Sequence, residues 1–288
     1  KNKRMNVLSL FDGISVGQYV LNKTNHTIQN YYASEIDSYA QSITKFNFPN
    51  TKFLGDVTKV KGSDLPNIDL LIGGSPCQGF SFIGRQLNFE DERSKLFFEF
   101  VRLLEQTKPK YFFLENVVMS KDSIKVITDA LGVEPIKLNS ADFSAQNRPR
   151  LYWTNIPYKK TTETNIEVVR DILDEDATFS NDYPNYLDLG WGDEPRKNKL
   201  RYDYQKARTL TATMWKGQIS TFVRNEKQEV HKLTLTECER LQGLPTNYTQ
   251  RGIVDEKVVK ISNTQRYKTL GNSWNAPTIE EFFKNIKI

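Results

Sequence analysis

Short apolar runs, each breaking into a glycine or a carboxylate, recur through the first half of the chain with helix-like segments between them. That rhythm limits the fold more than any other feature. Asn6 to Phe11 is an apolar run ending at Asp12-Gly13, and Ser15 to Lys23 reads as a helix. Tyr31 to Ser34 ends at Glu35 and is followed by a helical segment from Ala40 to Phe46. Phe53-Leu54 leads into Gly55-Asp56, and Ile68 to Ile72 ends at Gly73-Gly74. Leu96 to Gln106 reads as a helix, Tyr111 to Leu114 as a strand and Ser123 to Leu131 as a helix. Strands alternating with helices at this spacing predict a doubly wound, Rossmann-like α/β fold on a parallel sheet. Ligands of such sheets bind beyond the carboxyl ends of the strands, where Asp12, Glu35, Asp56, Cys77 and Glu115 fall.

The alternation fails after about Pro157, where the chain becomes polar and charged. This divides it into residues 1–156, an irregular segment 157–231, and a return to the first domain over 232–288. Within the return, Thr234 to Leu241 reads as a helix, and 263–286 as a loop followed by a closing helix. The irregular segment has an uneven charge. From Asp171 to Glu194 there are eight acidic residues and no Lys or Arg, whereas Pro195 to Lys232 holds ten Lys or Arg against three acids. The basic stretch, interleaved with Tyr202, Tyr204, Trp215 and Phe222, fits a phosphate-facing loop region, although such runs are as often a solvated surface.

Two cysteines, Cys77 and Cys238, lie far apart without neighbouring ligands, and His26 and His231 are the two histidines. A disulfide framework, a metal site and histidine-based catalysis are therefore not expected. No run of eighteen apolar residues and no signal peptide appears, so the expectation is no membrane and a cytoplasmic location.

Gly73-Gly74-Ser75-Pro76-Cys77-Gln78 is the sharpest motif. Proline fixes φ beside the cysteine and the glycines permit a tight approach, which would present a thiol rigidly at a cleft. Alone, the motif reads equally as a half-buried structural cysteine. Phe113-Leu114-Glu115-Asn116-Val117 places a carboxylate on the next strand, and a nucleophile beside a proton donor suits covalent catalysis on a polarised heterocycle. A capping or salt-bridged Glu115 is the plainer reading. The turn Phe11-Asp12-Gly13-Ile14-Ser15-Val16 opens a helix without a full dinucleotide fingerprint. Its acid suits a ligand with a cationic centre, with Glu35 accepting from ribose hydroxyls and Asp56 with Val57 addressing an adenine.

These motifs resemble, in order and spacing over nearly the whole chain, the cytosine-C5 DNA methyltransferases. The series includes Phe11-Asp12-Gly13, Glu35, Gly55-Asp56-Val57, Gly74-Ser75-Pro76-Cys77-Gln78, Glu115-Asn116-Val117, Gln146-Asn147-Arg148-Pro149-Arg150, Arg240-Leu241-Gln242-Gly243 and Gly271-Asn272-Ser273. Within the family, several segments are most similar to the Dnmt3-type catalytic domain, in a standalone form expected of a bacterium or phage.

The resemblance implies a methyltransferase sheet with a small target-recognition domain inserted at 157–231, S-adenosylmethionine as cofactor and double-stranded DNA as substrate. It implies that Cys77 adds to C6 of a flipped-out cytosine, that Glu115 holds the ring, that Arg150 holds its O2 and that Arg148 helps to position the base. The cofactor would meet Phe11, Asp12, Gly13, Ile14, Ser15, Val16, Glu35, Asp56, Val57, Pro76, Asn272, Ser273 and Trp274. DNA contacts would come from Ser75, Gln78, Arg85 and Arg93, on or beside a mobile or merely structural loop, and from Arg208, Trp215, Lys216 and Gln218. A homo-oligomer and a cognate restriction endonuclease are further expected partners. The alternatives are the same chemistry on tRNA, whose Cys-Phe-Thr signature is missing, a non-catalytic Dnmt3-like DNA-binding regulator, against which Cys77 and Glu115 argue, and a nucleotide-binding oxidoreductase on a similar sheet, against which the missing glycine fingerprint argues.

Overall fold

The computed structural model describes residues 4–75, 92–159, 165–188, 195 and 199–288. The chain divides into two compact units: 1–138, 149–160 and 279–288 form the first, and 139–148 with 161–278 form the second.

The first unit is built on strands β1 (Met5–Leu10), β2 (Ile28–Ser34), β3 (Lys52–Phe53), β4 (Leu70–Gly74), β5 (Tyr111–Val117), β6 (Ile136–Asn139) and β7 (Pro149–Thr154). They lie in the order β3-β2-β1-β4-β5-β7-β6. The chain thus winds outward from β1 to β3, then returns to β4 on the other side of β1. That reversal opens a crevice beyond the carboxyl ends of β1 and β4, where open α/β sheets bind ligands. The pairings among β1 to β5 are parallel. β7 runs antiparallel to β5, which the expectation of a parallel sheet did not include.

Helices α1 (Val16–Lys23), α2 (Ser38–Asn47), α3 (Glu92–Thr107) and α4 (Lys121–Leu131) connect the strands. Local chemistry sets their ends. The Asp37 carboxylate caps α2 by accepting from the Tyr39 and Ala40 amides, and Ser120 caps α4 while Gly132 closes it at φ 70°. On α3, Phe97, Phe100 and Leu103 recur every three residues and are fully buried. They pack in one cluster with Leu8, Leu10, Leu71, Leu114 and Trp153. At about 1.5–3 kcal/mol for each large apolar side chain, this cluster dominates the unit's stability.

The second unit carries strands β8 (Arg201–Tyr202), β9 (Phe222–Arg224) and β10 (Val230–Lys232) in the order β10-β9-β8, with a hairpin of β11 (Arg251–Val254) and β12 (Lys257–Lys260). Its helices are α5 (Val169–Ile172), α6 (Leu235–Leu241) and α7 (Asn263–Asn272). The sequence predicts a loop where α7 lies. Its buried face is largely polar, with Arg266 and Thr269 inside, so no apolar period marks it. The Arg266 guanidinium instead donates to Glu239 Oε1 at 3.0 Å and to Thr249 Oγ1 at 3.0 Å. The unit also reaches beyond 157–231, taking in residues 139–148 and 232–278. The closing helix α8 (Ala276–Phe283) ends in the first unit, where Phe282 and Phe283 each set an edge against Phe113 at 5.2 Å.

Both histidines are held by protein groups. His26 Nε2 lies 3.2 Å from the Ile286 carbonyl, and His231 bridges the Thr178 carbonyl and the buried Glu237 carboxylate at 2.9 and 2.8 Å.

Gly271 shows the closest backbone packing in the second unit. A Cβ there would sit 2.1 Å from the Thr211 carbonyl carbon, against main chain that cannot rotate away. Gly271→Ala is therefore expected to destabilise the protein by about 1–3 kcal/mol or more. Urea unfolding of the variant checks this, and an unchanged midpoint would show that the two segments do not touch.

Candidate active site

The turn after β1 is the most strained stretch of the first unit. Phe11, Gly13 and Ser15 take φ of 56°, 58° and 57°, alternate residues in the left-handed region. For Phe and Ser this costs on the order of 1 kcal/mol each, which is typical of backbone held for a purpose. Asp12 secures the turn. Its carboxylate accepts from Ser9 Oγ at 2.6 Å, from Tyr31 OH at 2.7 Å and from the Ser15 hydroxyl. Burial raises its pKa to about 6, against the pull of those three hydroxyls, and the Glu35 charge adds to the rise. The sequence reading aims this acid at a ligand. In the structure its side chain is engaged by Ser9 of β1, Tyr31 of β2 and Ser15 of the turn.

Glu35, just past β2, is oriented by three amides: Gly13 donates to Oε2, and Ile36 and Asp37 to Oε1, each at 2.8 Å. Asp56 accepts from the Thr58 amide at 2.9 Å and hydroxyl at 2.8 Å, which holds its pKa below the ordinary value. Val57 is buried in the main core. A Cβ built on Gly13 or Gly55 meets nothing within 4 Å, so open space lies against both glycines. Ile36, which the sequence reading passed over, stands 77% exposed beside Glu35. An isoleucine directly after a strand-end acid was the available signal. Oriented carboxylates, open glycines and an uncovered apolar side chain fit a nucleoside with hydroxyl donors.

Beyond β4 and β5 lies the second cluster. Gly74 pairs with Glu115 across the sheet, and Val117 pairs with Arg150. Because β7 is antiparallel, its first residues fall beside the last residues of β5. Arg150 Nε then sits 2.9 Å from Glu115 Oε1, with both side chains largely buried, and Nη1 donates to the Pro149 carbonyl at 2.8 Å. Ser75, expected at DNA, is buried, and its hydroxyl accepts from Asn116 Nδ2 at 2.9 Å. It fastens the end of β4 to β5. Pro76, Cys77, Gln78 and Arg85 lie outside the described residues, as does the side chain of Arg93.

In the second unit, Arg148 is buried with its guanidinium on three main-chain oxygens: Leu210 at 2.9 Å, Gly271 at 3.2 Å and Ser273 at 2.8 Å. The expected base-positioning arginine is thus engaged as a clasp on the chain itself. Asn272 ends α7 exposed, Ser273 is buried and Trp274 half-buried. Among the expected recognition residues, Gln218 has its amide tied to Thr211 and Thr213 hydroxyls at 2.7 Å each, which fastens the loop it sits on. Arg208 donates to the Lys199 carbonyl from Nε at 3.2 Å and from Nη2. Trp215 is exposed, with the Lys216 ammonium 5.2 Å from its ring centre.

The family model of C-5 cytosine-specific DNA methylases matches residues 5–288. The chain belongs to that family. Type II methyltransferase M1.ScrFI of Lactococcus lactis subsp. cremoris is 30% identical over 310 residues, covering 97% of this chain and 77% of its own length. Type II methyltransferase M.Bsp6I of a Bacillus species is 30% identical over 324 residues, covering 98% of each. Among solved structures, the methyltransferase EhMeth of Entamoeba histolytica superposes with a TM-score of 0.74 at 20% identity, over 97% of this chain and 96% of its own. The Dnmt2 methyltransferase of S. pombe does so at 0.70 and 17%, over 96% of each. At that identity these likenesses speak to the fold alone.

As a member of this family, the protein is a DNA cytosine-C5 methyltransferase that uses S-adenosylmethionine. Among the described residues no helix is long and apolar enough to cross a membrane, and no group of three His, Cys, Asp or Glu is placed to hold a metal ion.

The enclosed Asp12 gives a pH test. Between its ordinary value of 3.8 and about 6 the folded protein keeps a proton that the unfolded chain has released, so this group's contribution to stability falls as pH rises through that window. Asp12→Asn removes the contribution. The variant is expected to gain on wild type as pH goes from 4.5 to 7, read as the difference between their urea midpoints. A constant difference would mean the carboxyl is not enclosed.

Proposed function

We propose that Cys77, Glu115 and Arg150 are the reacting and ring-holding groups of this methyltransferase. The carrying observation is the sheet register. Gly74, three residues before Cys77 in the sequence, is the neighbour of Glu115, and Glu115 is ion-paired to Arg150. On this reading the Cys77 thiolate adds to C6 of cytosine, which pushes the ring electrons toward C5. Glu115, carrying a proton when the base is bound, donates it in a hydrogen bond to N3 and accepts from the exocyclic amine while that charge develops. Arg150 keeps Glu115 in register through Nε, with Nη2 left as a donor for the cytosine O2. After C5 has been alkylated its proton leaves to a base, the C5–C6 double bond re-forms and the thiolate departs.

S-adenosylmethionine, when bound, supplies an electrophilic methyl group. The residues that fit it are the backbone of 11–16, Glu35 toward ribose hydroxyls, and Ile36 and Asp56 toward the adenine, with Pro76 and 272–274 as further family-derived contacts. Val57, inside the core, supports the wall from behind. C5 and C6 of cytosine are shielded by stacking inside a duplex, so the double-stranded substrate must extrude the target base. We read the chain as a cytoplasmic modification enzyme working beside a cognate endonuclease. The support is that the bacterial relatives above are named as type II methyltransferases.

Methyl transfer to mixed-sequence DNA and to tRNA, followed by bisulfite sequencing, tests the reading. Wild type is expected to methylate cytosines of DNA in a fixed context, and Cys77→Ser to lose that activity entirely. Activity confined to tRNA would sink the DNA assignment. Arg150→Lys keeps the charge but replaces a planar fork by a point donor. A fall of about tenfold or more in kcat, with folding retained, is the expected result.

A further inference from the structure

His231, on β10, is the second unit's single histidine and is 6% exposed. Both of its ring nitrogens face acceptors. Nδ1 lies 2.9 Å from the Thr178 carbonyl, which has no hydrogen to give, so Nδ1 carries one. Nε2 lies 2.8 Å from Glu237 Oε2. That oxygen also accepts from the Thr234 amide at 2.7 Å, and Oε1 accepts from the Asp174 amide at 2.9 Å. With two amides already donating to it, the carboxylate stands as an acceptor, so Nε2 carries a hydrogen too. A ring that donates from both nitrogens is an imidazolium. The neutral ring would turn a bare lone pair on the carbonyl or on the carboxylate, in a closed environment where an unmet polar group is costly.

The groups around the ring are accounted for element by element. From β9, Val223 stands opposite; from the segment before β8 come Asp174 and the Phe179 ring at 5.3 Å; from α6 come Glu237 and Cys238. Asp174 is ion-paired with Arg240 at 2.8 Å, and beyond Cys238 the Glu239 and Arg266 charges are paired with each other. Lys232, next on the strand, is exposed over the Phe222 ring. Burial pushes the Cys238 thiol and the Tyr267 hydroxyl far up, so both stay protonated. Burial draws the His231 pKa down, but Glu237, Thr178 and Asp174 together carry it above the ordinary 6.5.

The strand that holds this ring is bonded stepwise to the loop bearing the exposed Trp215 and Lys216. Leu233 donates its amide to the Thr221 carbonyl at 2.8 Å, and Thr221 Oγ1 donates to the Gln218 carbonyl at 2.7 Å. The Gln218 side chain in turn holds Thr211 and Thr213. On the other side, the Ser180 and Val230 backbones exchange hydrogen bonds at 3.0 and 2.8 Å. We propose that His231 is a positioning residue for DNA binding: its imidazolium locks residues 174–180, β10 and the start of α6 into one block, which holds the loop 211–218 in the arrangement that takes DNA, and release of the proton loosens it. The proposal rests on the DNA reading above. It makes affinity for DNA, and not the methyl-transfer step, fall as pH rises.

The test is steady-state methylation of a long mixed-sequence duplex by wild type, His231→Gln and His231→Arg from about pH 6 to about pH 9, beside urea unfolding at each pH. Gln keeps a donor for Glu237 and never carries charge, whereas Arg carries it throughout. Dividing wild type by the Gln variant removes the pH dependence that Cys77 and the other ionisable groups contribute. That ratio of KM for DNA is expected to start low and rise by about threefold or more, with the kcat ratio flat. His231→Arg should keep a low KM without the rise. The bridge's contribution to stability is complete below 6.5, the unfolded value, and is lost as pH rises through the higher folded value, so the wild-type advantage in urea midpoint should shrink over the same range. An NMR titration of the wild-type ring, told from His26 by comparison with the Gln variant, should give a midpoint above 6.5 that matches the KM rise; this readout decides if neither variant folds. A KM ratio constant with pH while the urea difference moves would make the bridge purely structural and overturn the proposal, as would a ring that titrates at or below 6.5. If wild type methylates no DNA at any pH, the functional reading falls and the proposal with it; if it does and the KM ratio is flat, the proposal alone falls.

Discussion

The direction of a single strand decides which charged side chains meet at one end of the first unit's sheet. Because β7 runs against β5, the residues that open it lie where the parallel strands end. Arg150 is thereby brought onto Glu115 at 2.9 Å. A parallel β7 would carry its opening residues to the opposite edge of the sheet and leave a largely buried carboxylate without a partner, at a cost of several kcal/mol. The ion pair therefore ties topology to the proposed site. It fixes the carboxylate's orientation on two hydrogen-bonded strands, whose positions are better defined than those of a loop.

Much of the first unit was legible in the sequence because buried parallel strands are near-continuous apolar runs, and their ends are marked by glycine and acids. The runs read as strands from Asn6 to Phe11 and from Ile68 to Ile72 fall on β1 (Met5–Leu10) and β4 (Leu70–Gly74). The reversed strand was not found, since an apolar run does not record its own direction. Helix α7 was missed for a different reason. Its inward face carries Arg266 and Thr269, which are satisfied by Glu239 and Thr249, and a polar core leaves no hydrophobic period to read.

The same ambiguity affected the site. Motifs show which polar residues matter but not whether a ligand or the chain is their partner. Asp12, Ser75, Arg148 and Gln218 all fall in segments the sequence singled out, and all four hydrogen-bond within their own unit. Glu35 behaves in both ways, since three amides aim it while open space lies against the adjacent Gly13. Groups that hold a site's shape are as sequence-marked as those that touch what it binds, because rotating either spoils the geometry.

The Arg148 clasp has one further consequence. Its guanidinium grips the carbonyls of Leu210, Gly271 and Ser273, and main-chain oxygens are the same for every amino acid. The grip is therefore blind to side chains at 210 and 273, while Gly271 is kept small by the backbone lying on it. A loop anchored in this way can exchange its contents between 211 and 220 without renegotiating its moorings. Substitutions that keep the backbone path at 210 and 271–273 therefore leave the clasp intact, whatever side chains they bring.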